Sequence, residues 1–133
     1  MNRRFIVYGI FSLCLITFLL PACEKAPGEG GSASVVGKLF LKDLDSDGVL
    51  KEEYFVPDEK VFIIYGDNSI YDDDTRTHFD GSFQFKYLYK GEYTVFAYSK
   101  CNTCESGIGP IMKTFEITEK GQIYDLDTLI IFD

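Results

Sequence analysis

Tryptophan is absent from this chain, histidine occurs once, and proline occurs four times in 133 residues. A serine nucleophile would have to pair the lone His78 with Ser82, Ser99 or Ser106. None of the three stands in the glycine-flanked turn that exposes a catalytic serine. His78, between Thr77 and Phe79, reads instead as a solvated residue beside the Asp80-Gly81 turn. Basic residues are scarce as well, 13 Lys and Arg against 21 Asp and Glu. Binding to a phosphate backbone demands a basic footprint, so a nucleic-acid partner is excluded. No window of helical length carries a 3.6-residue apolar period, which argues against amphipathic helices. The one long apolar run, Phe5 to Leu20, spans 16 residues and includes Ser12 and Thr17. It is short for a bilayer-spanning helix.

That run has a different logic. It follows Arg3-Arg4 and ends in Leu20-Pro21-Ala22-Cys23, the pattern of an export signal with a small residue before a cysteine. The pattern resembles the lipobox of bacterial lipoproteins. The resemblance implies cleavage before Cys23, lipidation of Cys23, and attachment to the bacterial cell envelope, at the outer membrane. Residues 1–22 are then a signal peptide. With Arg3 and Arg4 gone, 11 basic residues face 21 acidic ones, a formal charge near −10. Such a chain is repelled by an anionic surface, so its membrane contact is expected through the Cys23 lipid alone. Residues 23–34, rich in Gly, Pro and Ser, read as a flexible tether holding the domain off the membrane. The folded domain is expected over residues 35–133.

Within that domain the signals are those of strands. Val35–Leu41 and Lys60–Tyr65 are short apolar runs bounded by Asp- and Gly-rich loops. Asp72–His78 is polar and reads as a short edge strand, with Asp72-Asp73-Asp74 as a solvated edge. Asp80-Gly81 and Lys90-Gly91 are turn pairs. Between and after them Phe83, Phe85 and Tyr87, then Tyr93, Val95 and Ala97, alternate as the inward face of half-buried strands. Ile111–Thr118 and Leu129–Phe132 complete the set. The pattern predicts an all-β fold, an antiparallel seven-strand Greek-key sandwich, with a small barrel as the alternative. The expected core is Val36, Phe62, Ile64, Phe83, Phe85, Tyr93, Val95, Ala97, Phe115, Ile117 and Ile130.

The order of a glycine-containing first strand, an Asp-rich loop, Lys60-Val-Phe-Ile-Ile-Tyr65 and then Thr77-x-x-Asp80-Gly81-x-Phe83-x-Phe85-x-x-Leu88-x-x-Gly91-x-Tyr93-x-Val95 resembles a known family. It is similar to the transthyretin-like, prealbumin-type domains of carboxypeptidase regulatory-like modules and the B-type repeats of surface adhesins. The resemblance covers about residues 35–98. It implies a transthyretin- or immunoglobulin-like sandwich serving as a spacer, stalk or accessory module.

Asp43-Leu44-Asp45-Ser46-Asp47-Gly48-Val49 sets three carboxylates at alternate positions before a glycine. A calcium ion takes six to eight oxygens, and Asp43, Asp45, Asp47 and the Val49 carbonyl supply four. The bidentate acid of a helix–loop–helix calcium site is missing, since Tyr54 stands in its place. The adhesin resemblance implies Glu53 as the closing ligand. The competing reading is a turn whose Asp side chains cap their own backbone.

Cys101-Asn102-Thr103-Cys104 is followed by Gly107, Gly109 and Pro110, which discourage the helix that activates a thioredoxin-type thiol. Zinc needs four ligands, and His78 is the one further soft ligand. In an exported domain a local disulfide Cys101–Cys104 heads the readings, ahead of free thiols, a metal and redox chemistry. The functional expectation is a non-catalytic accessory or structural domain on the cell envelope, in contact with an envelope protein or glycan. The alternative is a carbohydrate- or peptide-binding module using turn-proximal rings: Tyr54, Phe55, Tyr65, Tyr71 and Tyr89.

Overall fold

The computed structural model describes residues 24–133, so the expected signal peptide and Cys23 lie outside the described residues. Eight strands follow one another: β1 (Glu29–Leu44), β2 (Leu50–Phe55), β3 (Lys60–Tyr65), β4 (Asp73–Arg76), β5 (Ser82–Leu88), β6 (Gly91–Lys100), β7 (Ile108–Ile117) and β8 (Ile123–Phe132). No helix occurs among the described residues. Two sheets form a sandwich. In one, β1 pairs with β2 and β5 antiparallel and with β8 in parallel; the other runs β4-β3-β6-β7, antiparallel throughout. The strand beyond the expected seven is β2, which folds back on the end of β1 from a segment read as loop. Expected antiparallel throughout, the fold carries one parallel pair, β1 with β8, whose connection runs through the opposite sheet.

The chain crosses between layers after β2, β4, β5 and β7, so each layer mixes distant segments. The core between them is Val35 and Leu39 of β1, Val61 and Ile63 of β3, Phe83 and Phe85 of β5, Tyr93, Val95 and Ala97 of β6, Phe115 and Ile117 of β7, and Leu126, Leu129 and Ile131 of β8. Four expected core positions need correction. Val36 and Ile64 are only half-buried, and Ile130 is 40% exposed, because the neighbours Val35, Ile63, Leu129 and Ile131 are the inward residues. Phe62 is buried, but on the outer surface of its sheet, where it stacks on other rings.

Two further departures come from bulges. Tyr87, expected inward with Phe83 and Phe85, is 68% exposed, and Leu88 is buried in its stead. Tyr87 has φ of 61°, a left-handed conformation that flips the face and shifts the β1–β5 register near Ala33. Asp127 (φ 67°) does the same in β8, which lets Leu126 and Leu129, three apart, both face the core.

The segment 24–34 is also not the free tether expected from composition. β1 begins at Glu29, and Gly28 is already hydrogen-bonded to the sandwich, its N–H donating to the Tyr93 hydroxyl (2.9 Å) and its carbonyl accepting from Tyr89 N–H (2.9 Å). The glycines serve close approach rather than flexibility. At Gly31 a Cβ would collide with the Leu88 carbonyl, and at Gly91 it would sit 2.5 Å from Pro27 Cγ.

Candidate functional site

The outer face of a sandwich sheet is normally polar. On the β4-β3-β6-β7 sheet it is not. Antiparallel registry sets Phe62 opposite Phe96, and Phe96 opposite Met112, so three apolar side chains form a row across β3, β6 and β7. Phe62 and Phe96 stack with centroids 4.9 Å apart and planes 15° from parallel. Tyr71, from the β3–β4 loop, leans on Phe62 at 4.8 Å, and Tyr98 meets Phe62 and Phe96 edge-on at 5.6 and 5.7 Å. These separations suit attractive ring pairs. The inner pair is nearly covered, whereas Tyr71, Tyr98 and Met112 remain 45%, 49% and 51% exposed. The result is a floor of two phenylalanines with two tyrosines standing open to solvent.

The rim is polar and largely neutralised. Lys60 lies above Phe62 and pairs with Asp74 at 3.2 Å; Arg76 pairs with Asp58 at 3.2 Å. Thr94 and Thr114 share a hydroxyl hydrogen bond of 3.0 Å across β6 and β7, directly beside the ring row. The other sheet has a smaller aromatic pair, Phe40 with Phe55 at 5.0 Å, but the Lys38 ammonium lies over the Phe55 ring at 4.9 Å.

Of the rings expected at turns, Tyr71 joins the cluster. Tyr54 and Phe55 sit on β2, in the opposite layer. Tyr65 packs edge-on against Tyr93, and Tyr89 is roofed by Lys25 at 4.8 Å. Phe96 and Tyr98 were missed as site residues, although their signal stood in the sequence. Once Tyr93, Val95 and Ala97 face inward, alternation sends two aromatics to the face that should be polar. Phe79, at a turn tip, is 91% exposed and packs on nothing in the cluster.

The Asp-rich loop closes on itself. The Asp45 carboxylate accepts from Asp47 N–H (2.9 Å) and Val49 N–H (2.8 Å), while the Val49 carbonyl accepts from Asp45 N–H (2.9 Å). Asp43 is paired across the strands with Glu52, and Glu53 with Lys42, which sends Asp43 and Glu53 to opposite faces. Among the described residues no three His, Cys, Asp or Glu converge on a point where a metal ion would sit. Asp45→Ala removes two cap bonds and should cost about 1 kcal/mol, equally in 5 mM calcium and in chelator. Paired urea titrations check this, and a loss appearing in calcium alone would assign the loop to the ion.

Cys101 and Cys104 form a disulfide, and the loop beyond it folds back through Cys101 N–H to the Gly107 carbonyl at 2.9 Å. His78 is exposed, its backbone closing the Asp80-Gly81 turn. Asp80 titrates below the ordinary carboxylate range because the Ser82 hydroxyl and N–H donate to it. The Tyr65 phenol is held far above the usual tyrosine range, first by burial and then by the carboxylates of Glu29, Asp73 and Asp72. Burial likewise raises Tyr93.

No family model matches the chain, and no curated protein matches it. Among solved structures, one from Pseudomonas aeruginosa, titled as a "putative carbohydrate binding protein", is similar over 86% of this chain and 98% of its own, at 14% identity and a TM-score of 0.49.

Proposed function

We propose that this chain is a non-catalytic module of the bacterial cell envelope, held by a lipid on Cys23, that binds neutral polysaccharide on the aromatic face of its β4-β3-β6-β7 sheet. The two-layer β architecture is what the resemblance to transthyretin-like accessory domains expects of the fold. The observation that carries the binding role is the exposed pair Tyr71 and Tyr98, set over the buried Phe62–Phe96 stack on a face that sandwich sheets keep polar. A pyranose ring offers an apolar C–H face to such rings and hydroxyls to a polar rim. Thr94, Thr114 and the tyrosine hydroxyls supply that rim. Lys60 and Arg76 are already paired with Asp74 and Asp58, and the part from Cys23 onward carries a formal charge near −10, which disfavours an acidic glycan.

A soluble form beginning at Glu24, run through gels containing neutral or acidic polysaccharides, tests the reading. Retention by a neutral polymer is expected. The double substitution Tyr71→Ala with Tyr98→Ala should weaken it at least about tenfold, the scale of losing exposed aromatic anchors. Both side chains are half exposed, so the melting temperature should fall by only a few degrees. Absence of retention by every neutral polymer would leave the domain as a spacer and overturn the binding role. Retention unchanged by the double substitution would place the site elsewhere.

A further inference from the structure

The chain enters the structure at one end of the sandwich, and it is fastened there from its first described residues. Glu24 pairs with Lys90 at 3.6 Å, and Lys25 Nζ donates to the Tyr89 hydroxyl at 3.1 Å while lying over that ring. Pro27 fills the space that a side chain at Gly91 would need. Gly28 is held on both its N–H and its carbonyl and packs against the Tyr65 ring. The Tyr93 hydroxyl then donates to the Tyr89 carbonyl at 2.8 Å, tying this segment to the β5–β6 turn. Tyr93 is fully buried, so the rivet sits in the core itself.

The same end carries the β3–β4 loop and the β7–β8 turn. Ile70 and Ile123, 72% and 69% exposed, lie in the first and directly after the second. Opposite lie the Asp45 turn, the Cys101–Cys104 loop and the end of β8, ten residues along β6 and β7 from the entry end, or about 30 Å.

We infer that the domain does not float on a tether but stands with this entry end against the bilayer surface, its Cys101–Cys104 end pointing away. The inference rests on the lipid attachment to Cys23 proposed above. Cys23 directly precedes Glu24, so an acyl anchor there leaves a single residue of slack before the Lys25 contact. Connectivity, not charge, sets the orientation. Around the entry end Glu24, Glu92, Glu116 and Glu119 outnumber Lys25, Lys90 and Lys120, so an unlipidated domain gains nothing from an anionic surface. Lipid contact then falls to Ile70 and Ile123, which are exposed, apolar and positioned to meet the headgroups once the anchor holds them there. The aromatic face then looks sideways, its row across β3, β6 and β7 lying parallel to the membrane plane.

The test uses the full chain, processed in a bacterial host and reconstituted into phosphatidylcholine vesicles with an acceptor dye on a fraction of the headgroups. A donor dye is placed on Lys120→Cys at the entry end or on Ser46→Cys at the far end, both exposed positions. Energy transfer should be about twofold or more greater from position 120 than from position 46, given the ~30 Å separation. Inserting about ten Gly-Ser residues between Glu24 and Lys25 should make the two positions nearly equal, as a coil tether would. Tyr93→Phe, which keeps the ring and removes the rivet, should move in the same direction. Vesicle-bound native protein behaving like the insertion variant would overturn the inference while leaving lipidation intact. Failure to float with vesicles, with a mass lacking acyl chains, would instead remove the lipid reading on which it rests.

Discussion

Phe85→Ala should lower the stability of the sandwich by about 3–5 kcal/mol, whereas Gln84→Ala should lower it by less than about 1 kcal/mol. The two residues are neighbours in β5 and face opposite ways. Phe85 is 4% exposed and belongs to the core shared by both sheets; Gln84 is half-buried on the outer face, where β5 pairs with Val36 of β1. Truncating Phe85 loses the transfer energy of a ring and leaves a cavity between two layers that are each pinned by strand pairing, so collapse around it is limited. Against a total stability of about 5–15 kcal/mol for a domain of this kind, the loss is a large share. Urea unfolding followed by tyrosine fluorescence measures both variants, with the slope unchanged if the unfolded states are alike. Equal losses would mean that the faces of β5 are wrongly assigned.

The faces of β5 and β6 were legible because those strands alternate polar and apolar residues. Ser82-Phe-Gln-Phe and Tyr93-Thr-Val leave one assignment open, and the structure adopts it. The alternation stops being informative where both faces are apolar. Lys60-Val-Phe-Ile-Ile-Tyr65 has ring and branched residues on each side because its outer face lies under Tyr71 and beside Phe96, so Val61 and Ile63 cannot be told from Phe62 and Ile64 by period. Leu129-Ile-Ile-Phe132 presents the same ambiguity. The bulges at Tyr87 and Asp127 were invisible for another reason: neither residue type demands a left-handed backbone, and the flip is imposed by long-range pairing with β1.

The candidate site was half legible. Tyr71 was expected as an exposed ring near a turn, but the cluster it joins depends on the β3–β6 register, which places Phe62 beside Phe96 across 34 residues of sequence. The entry segment misled for a compositional reason. Glycine and proline mark flexible chain when nothing packs on them, and close approach when something does. Only the positions of Tyr65, Tyr89 and Tyr93 distinguish the two cases here.

Gly81→Ala should be nearly as damaging as the loss of Phe85, and Gly48→Ala offers the control that shows why. Both glycines have left-handed backbones, φ 76° and 79°. An alanine there carries a conformational penalty of about 1–2 kcal/mol at either position. They differ in surroundings. At Gly48 an added Cβ meets nothing within 4 Å, since the Asp45 turn stands in solvent. At Gly81 it would sit 2.7 Å from the Leu39 carbonyl oxygen and 2.8 Å from Phe55 Cβ. That glycine is the point where three strands meet: its carbonyl accepts from Leu39 N–H at 2.9 Å, and the Leu39 carbonyl accepts from Val56 N–H at 3.0 Å. Relief would have to move backbone, not the end of a flexible side chain, and overpacking of that kind adds about 1–3 kcal/mol. The expected losses are therefore about 2–5 kcal/mol for Gly81→Ala and about 1–2 kcal/mol for Gly48→Ala, measured by urea unfolding. The Gly81 variant should also lose amide-exchange protection at Leu39 and Val56 first, because those are the bonds the methyl group pushes against. A Gly81→Ala loss no greater than that of Gly48→Ala would show that β2 yields at this junction, and that the hairpin it forms with β1 is an appendage rather than part of the sandwich.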